Sequence, residues 1–218
     1  MSKTAEVQYY SPSEERLNIF SHALGLILSI SALVILVLRA SRYGDAWHVV
    51  SFSIFGASLI VLFAASTVYH SAKDPGLRAR LRVVDHASIY VLIAGTYTPF
   101  TLVTLHGTTG WVIFAITWSM ALCGIVLKLY FTGRYRMLST SMYVFMGWIA
   151  IFVISPLIDN LPPAGLFWLL SGGVAYTLGA VLYGIKRIGY NHAIFHAFVL
   201  IGACCHFVAV YLYVLPAD

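Results

Sequence analysis

Seven long apolar segments constrain the fold of this chain more than any other feature. They cover residues 17–38, 47–69, 84–105, 111–130, 138–158, 165–185 and 193–215. A membrane-spanning helix needs roughly 20 mostly apolar residues, and only 10% of the residues are charged, against about 25% in soluble domains. Lipid cannot hydrogen-bond an open backbone, so the segments must be helices. The sequence therefore predicts an all-α membrane protein, a bundle of seven transmembrane helices.

The basic residues predict the orientation of this bundle, because Lys and Arg are enriched on the cytoplasmic side of membrane proteins. Of the 13 basic residues, only Arg39 and Arg42 fall on the side opposite the N-terminus. The others are Lys3, Arg16, Lys73, Arg78, Arg80, Arg82, Lys128, Arg134, Arg136, Lys186 and Arg187. We expect a cytoplasmic N-terminus and an external C-terminus. Residues 1–16 would be a short cytoplasmic segment, and residues 17–218 a single transmembrane domain. The net charge of +5 then reflects topology, and no nucleic-acid partner is expected.

Polar side chains collect at the predicted cytoplasmic ends of three segments. They are Ser66 and His70 in the second, Asp85 and His86 in the third, and His192 and His196 in the seventh. Residues four apart share a helix face, and two imidazoles one turn apart are a common pair of metal ligands. Ionisable groups within membrane segments are costly and usually functional. The pattern predicts a Zn²⁺ site with three histidine ligands, His70, His192 and His196.

The residues beside these histidines suggest catalysis. An open zinc site polarises a carbonyl and lowers the pKa of a bound water to about 7. Asp85 could serve as a general base, and Ser66 could hydrogen-bond a ligand or a developing oxyanion. His86 follows Asp85 directly and should point about 100° away around the helix. The alternative for the whole set is that these are partly solvated polar residues at a membrane interface.

Other polar residues have two interpretations each. Asn18 and His22 share one face of the first segment, and they could support the metal or contact a substrate; the alternative is capping and hydrogen bonding between helices. His206 lies roughly 15 Å deeper than His196, too far to share its metal. We expect His206 to hydrogen-bond a neighbouring helix; the alternative is a place on a proton or substrate path.

Two further patterns concern the shape of the bundle. Pro99 interrupts the third segment and is predicted to kink it. The basic strip Arg78, Arg80 and Arg82 is placed in the longest cytoplasmic loop, residues 71–83. A role in topology, or in binding anionic lipid headgroups, is expected for that strip.

These fragments together resemble the bacterial hemolysin III family, which is related to the progestin and adiponectin receptors and more distantly to alkaline ceramidases. The matching fragments are Glu15-x-x-Asn18-x-x-x-His22, Ser66-x-x-x-His70, Asp85-His86, Gly95-Thr-Tyr-Thr-Pro99-Phe and Asn191-His192-x-x-x-His196. The resemblance implies a seven-helix protein of the bacterial inner membrane. It also implies a cytoplasm-facing zinc held by His70, His192 and His196, with Asp85 and Ser66 beside it.

Three functions are compatible with the sequence. The first is a zinc-dependent hydrolase of lipid amides, such as ceramide, or of lipid esters. The second is a non-catalytic protein of membrane homeostasis or sensing with a structural zinc, and the third is a pore-forming cytolysin or channel. A pore should carry polar residues along the depth of several helices, whereas here they collect at one end. Membrane lipids are the expected partners; whether the protein is an enzyme, its substrate and its oligomeric state are left open.

Overall fold

The computed structural model describes residues 9–132 and 136–215. Seven helices within them are long and apolar enough to cross a membrane. They are α1 (Pro12–Tyr43), α2 (Ala46–Ser71), α3 (Pro75–Leu105), α4 (Gly107–Phe131), α5 (Met137–Asn160), α6 (Pro163–Gly184) and α7 (Asn191–Val214). The described chain contains no strand. The predicted seven-helix bundle is confirmed, while Lys3 and Arg134 of the basic set lie outside the described residues.

The first and third helices begin earlier than hydropathy predicts. The Ser11 hydroxyl accepts a hydrogen bond from the backbone N–H of Glu14, and the Asp74 carboxylate accepts one from that of Leu77 at 2.7 Å. Each cap is followed by a proline, which suits the first helical position. The basic strip therefore lies on the first turns of α3, and its placement in a loop was wrong. Hydropathy misses these turns because they are polar.

Pro99 marks a change of helix type. The α-helical part of α3 ends at Pro99, and a wider π-helical stretch follows over Phe100–Leu105. Proline lacks the backbone donor that an α-helix needs. The Thr98 hydroxyl donates to the carbonyl of Ala94, and that of Thr101 donates to the carbonyls of Tyr97 and Thr98. These side chains reinforce the backbone around the interruption.

Helix α5 is interrupted halfway across the membrane. Its α-helix ends at Gly147, a 3₁₀ stretch covers Ile149–Val153, and an α-helix resumes at Ile154. The hydroxyl of Tyr97 in α3 donates to the carbonyl of Gly147 at 2.7 Å and accepts from the N–H of Ala150 at 3.0 Å. Backbone groups released at membrane depth need such partners. Tyr97 thus holds the irregular part of α5 against α3.

Two apolar cores stabilise the bundle. One is built around α2 and α7, with Phe52, Phe55 and Phe63 fully buried at its centre. The other joins α3, α4 and α5 around Tyr90 and Met146. Because α3 contributes to both, its polar face and the helix ends next to it are held in place from two sides. That arrangement positions the end of the bundle at which the polar residues collect.

Candidate metal centre

The three histidines singled out in the sequence meet at one end of the bundle. His70 comes from the last turn of α2, and His192 and His196 come from the first turns of α7. All three are buried, and one ligand atom from each lies within 4.8 Å of the others. The group could hold a metal ion. Asn18 and His22 of α1 are buried beside it, with the His22 ring stacked on that of His196 at 3.6 Å between centroids.

The spacing of the imidazoles fits a small metal ion. The Nε2 atoms of His70 and His192 are 3.1 Å apart. Zinc–nitrogen bonds of about 2.0–2.1 Å in a tetrahedral site separate two ligand nitrogens by about 3.3 Å. Nδ1 of His196 is buried and has no hydrogen-bond partner among the described residues. Three imidazoles are also a donor set found in zinc sites, so the residues present fit this metal.

A carboxylate from α1 fixes the tautomer of His70. Oε2 of Glu15 lies 2.7 Å from Nδ1 of His70. A carboxylate only accepts hydrogen bonds, so this nitrogen carries the proton and Nε2 presents its lone pair to the site. The amide Nδ2 of Asn18, 3.4 Å from the same Nδ1, cannot also donate to a protonated nitrogen. Glu15 therefore turns the lone pair of His70 towards the other two histidines, as metal binding would require, and Asn18 packs beside it.

Arg78 holds both Glu15 and the end of α2. Its side chain is only 2% exposed, and its Nη2 forms a close ion pair with Oε1 of Glu15. Its Nη1 donates to the carbonyls of Tyr69, His70 and Ala72 at 3.2–3.4 Å. The sequence analysis gave Arg78 a role in topology or in binding lipid headgroups, and no role at the metal site. The capping pair that starts α3 at Asp74 and Pro75 was the signal that could have placed it on a helix.

The start of α1 also packs over the site. The Tyr10 ring stacks on that of His192 with 4.5 Å between centroids. Oε1 of Glu14 accepts a hydrogen bond from the backbone N–H of His192 at 3.2 Å. A carboxylate is favourable there because the first N–H groups of a helix lack internal partners and the helix dipole is positive at this end. The first turn of α1 therefore positions the first turn of α7.

Asp85 and Ser66 lie next to the histidines in one cavity. Both are buried, and both line the cavity together with His192 and His196. The Ser66 hydroxyl lies beside the Asp85 carboxyl but forms no hydrogen bond of normal geometry with any described residue. His86 lines the cavity as well, although helical spacing predicted that it would turn away from Asp85; its Nδ1 donates to the carbonyl of Arg82 at 2.7 Å.

Beyond these polar groups the cavity is mostly apolar and runs deep into the bundle. Its walls include Leu92, Phe100 and Val199. Ile151 of α5 and Leu170 of α6 also line it, and their side chains are 55% and 43% exposed on the membrane-spanning surface. The cavity therefore approaches the lipid between α5 and α6, next to the interruption in α5. An arrangement of this kind suits a molecule with a polar head and an apolar chain.

His206 lies deeper in α7 and lines the same cavity. Its Nε2 is 3.1 Å from the carbonyl oxygen of Leu169 in α6. This confirms the prediction that His206 bonds to a neighbouring helix. Two further histidines, His48 and His106, lie towards the opposite end of the bundle, where Oδ1 of Asp45 accepts hydrogen bonds from the backbone N–H groups of Trp47 and His48 at the start of α2. A hydrogen bond from the His48 side chain lowers the pKa of its partner, Asp45.

Comparison with known proteins agrees with this architecture. The chain matches the family described as "Haemolysin-III related" over residues 10–207. It is 45% identical to "Hemolysin-3" of Bacillus cereus over 203 residues, which is 93% of each chain. It is 30% identical to the human "Monocyte to macrophage differentiation factor" over 221 residues, covering 96% of this chain and 90% of the relative.

A more distant relative is the yeast "ADIPOR-like receptor IZH2" of Saccharomyces cerevisiae, 28% identical over 229 residues, covering 88% of this chain and 69% of the relative. The resemblance drawn from the polar fragments therefore extends over nearly the whole chain and reaches the adiponectin-receptor-like proteins. The seven apolar helices and the bacterial relatives agree on location. The chain belongs to the hemolysin III family and is an integral, multi-pass protein of the bacterial inner membrane.

Proposed function

We propose that this protein is a zinc-dependent hydrolase of lipid amides or esters. The observation that carries the proposal is a cavity that has His192, His196, a carboxyl and a hydroxyl at one end and apolar walls beyond them. His70 is clustered with the two histidines at that end. A polar reactive end and an apolar interior match the two parts of a lipid.

His70, His192 and His196 would hold the zinc ion. Support comes from their burial, the 3.1 Å separation of two Nε2 atoms and the protonated Nδ1 of His70. A carboxylate behind a ligand histidine is a common arrangement in zinc sites and fixes the ring orientation. Bound there, zinc would supply a Lewis acid for an ester or amide carbonyl.

Asp85 and Ser66 would carry out the proton transfer and the orientation of the substrate. Asp85 would take a proton from the attacking water and later give it to the departing amine or alcohol, which is the usual course of general acid–base catalysis. Ser66 would donate its hydroxyl hydrogen to the carbonyl oxygen as negative charge develops on it. Its hydroxyl lines the cavity beside the Asp85 carboxyl, at the end where the carbonyl would lie.

The apolar part of the cavity would bind the acyl chain. An acyl chain in contact with Leu92, Phe100 and Val199 is shielded from water. Because the chain is held there, the reacting carbonyl stays near the histidines. Lipid would enter sideways between α5 and α6, where Ile151 and Leu170 are exposed. Membrane lipids are therefore the proposed substrate class.

The direct test is turnover by the zinc-loaded protein on a panel of lipid amides and esters, with Asp85→Asn as the informative variant. We expect product release to fall by about 10²–10⁴-fold, the usual contribution of a general base, with zinc content unchanged. Asp159→Asn is the matched control, because Asp159 is exposed near the other end of the bundle. Turnover that Asp85→Asn leaves unchanged, or no turnover of any lipid by the zinc-loaded protein, would refute the proposal.

A second candidate is a non-catalytic protein of membrane homeostasis in which zinc links α2 to α7. The observation in its favour is the packing of Tyr10, Glu14 and Glu15 around the histidines, which joins the start of α1 to the same helix ends. Both candidates predict a lower melting temperature after zinc removal. They differ in the expected effect of Asp85→Asn, because a non-catalytic protein has no turnover for this variant to reduce.

A further inference from the structure

A second polar group lies deep in the cavity, away from the metal centre. It consists of His206 on α7 and Tyr176 on α6, whose rings meet edge to face with 5.3 Å between centroids. Both residues line the cavity, and His206 is only 6% exposed. Since His206 follows His196 by ten residues and a helix rises 1.5 Å per residue, this pair lies about 15 Å from the histidine cluster along α7.

The hydrogen bonds of this pair are incomplete. The carbonyl oxygen of Leu169, 3.1 Å from Nε2 of His206, can only accept, so Nε2 carries the proton and Nδ1 is an acceptor. Nδ1 of His206 and the hydroxyl of Tyr176 are both buried and have no partner among the described residues. Buried polar atoms at membrane depth nearly always have partners, because an unsatisfied one is costly. A ligand in the cavity could supply the missing bonds.

Two glycines make room for these rings. A Cβ atom on Gly172 of α6 would lie 2.3 Å from Nε2 of His206, and one on Gly202 of α7 would lie 2.6 Å from Cε1 of Tyr176. Each helix therefore has a glycine where the ring of the other helix lies, and no other residue fits without displacing that ring. Both rings are held at defined positions, as a binding site requires.

We propose that His206 and Tyr176 form a subsite for a hydroxyl group carried partway along the apolar chain of the ligand. A hydroxyl would donate to Nδ1 of His206 and accept from the Tyr176 hydroxyl, so both buried atoms would gain a hydrogen-bond partner. A carbonyl group could accept from Tyr176 only, and a plain methylene chain would satisfy neither. The inference rests on the proposed function for the position of the ligand's head group at the histidine centre, and it makes a hydroxylated acyl chain the preferred ligand.

Equilibrium binding of three fatty acids to the purified, zinc-loaded protein tests this subsite. The probes are stearate, 12-hydroxystearate, whose hydroxyl lies far along the chain, and 2-hydroxystearate, whose hydroxyl lies beside the head group. We expect 12-hydroxystearate to bind on the order of tenfold more tightly than the other two, the effect of about one good hydrogen bond. Equal binding of all three by the wild type would overturn the proposal, and would mean that water alone satisfies these atoms.

Tyr176→Phe is the main variant, because it removes the hydroxyl and keeps the ring that packs against Gly202. We expect it to reduce the preference for 12-hydroxystearate to less than about threefold, since one of the two hydrogen bonds is lost. Tyr130→Phe, at an exposed position on α4, should keep the full preference. An unchanged preference in Tyr176→Phe would refute the subsite. Because binding is measured without turnover, a failure of the proposed hydrolysis would leave this result intact.

Discussion

Glu15 is the residue on which the arrangement of the metal centre depends most. One carboxylate oxygen lies 2.7 Å from Nδ1 of His70, and the other pairs with Arg78. The same side chain therefore sets the tautomer of His70, a candidate ligand, and neutralises a buried guanidinium. Sequence analysis found Glu15 within a motif but assigned the supporting role to Asn18 and His22. The sequence alone does not show which of these residues contacts His70, because that depends on which side chain of α1 reaches the end of α2.

Replacing Glu15 by Gln should weaken metal binding. The amide cannot act as the charged acceptor for His70, and the loss of such a partner usually lowers metal affinity by about 10–100-fold. Competition with a zinc chelator measures this affinity. Glu14→Gln is the matched control, since its carbonyl oxygen can still accept from the N–H of His192. Equal zinc affinity in the two variants would argue against this role of Glu15.

Arg78→Ala should strongly destabilise the protein. Removing one member of a buried ion pair leaves the other charge without its partner and costs about 3–5 kcal/mol. The carbonyls at the end of α2 lose their donor in the same variant. Arg80→Ala is the control, because Arg80 is exposed on the same helix. Melting temperatures in detergent compare them, and a shift of the same size in both would contradict the account.

At the scale of helices, the sequence predicts which helices exist better than it predicts where they begin and where they are interrupted. All seven spans follow from hydropathy, because a bilayer demands long apolar helices. The polar first turns of α1 and α3 escape hydropathy, although the caps at Ser11 and Asp74 could have located them. The interruption in α5 has a weaker signal, Gly147, since its stability comes from the Tyr97 hydroxyl of another helix. Contacts between distant helices of this kind cannot be inferred from one segment alone.

Tyr97→Phe should loosen the middle of α5. The carbonyl of Gly147 and the N–H of Ala150 lose their shared partner, at a cost of about 1–3 kcal/mol. Hydrogen exchange should then become faster over residues 147–153, while the exchange in α2 stays unchanged. Protection equal to that of the wild type over this stretch would show that Tyr97 does not hold it.

At the scale of the whole molecule, the bundle joins a polar site at one end to an apolar cavity that approaches the lipid. The sequence predicts the polar end, because its histidines and carboxyl fall at the ends of apolar segments. It does not predict the cavity, whose walls combine residues from all seven helices that no local pattern relates. The cytoplasmic position of the N-terminus stays a prediction from the distribution of basic residues.

Filling the cavity should separate chain binding from metal binding. Gly173 lines the cavity, and a Cβ atom there would come no closer than 3.8 Å to Trp148. Gly173→Leu should therefore fold, occupy part of the acyl path and weaken stearate binding on the order of tenfold, with zinc content unchanged. Gly184→Leu on the same helix has similar room beside Met137 and is the control. Stearate affinity that falls equally in both variants would contradict this assignment of the cavity.

The metal content of the purified protein is the most direct test of the proposed zinc ion at His70, His192 and His196. Elemental analysis of the wild type, of His192→Ala/His196→Ala and of the control His48→Ala/His106→Ala decides the matter. We expect about one zinc ion per chain in the wild type and the control, and none in the variant without the two α7 ligands. A folded wild type that takes up no zinc when it is supplied, or a variant that retains all of it, would contradict the account.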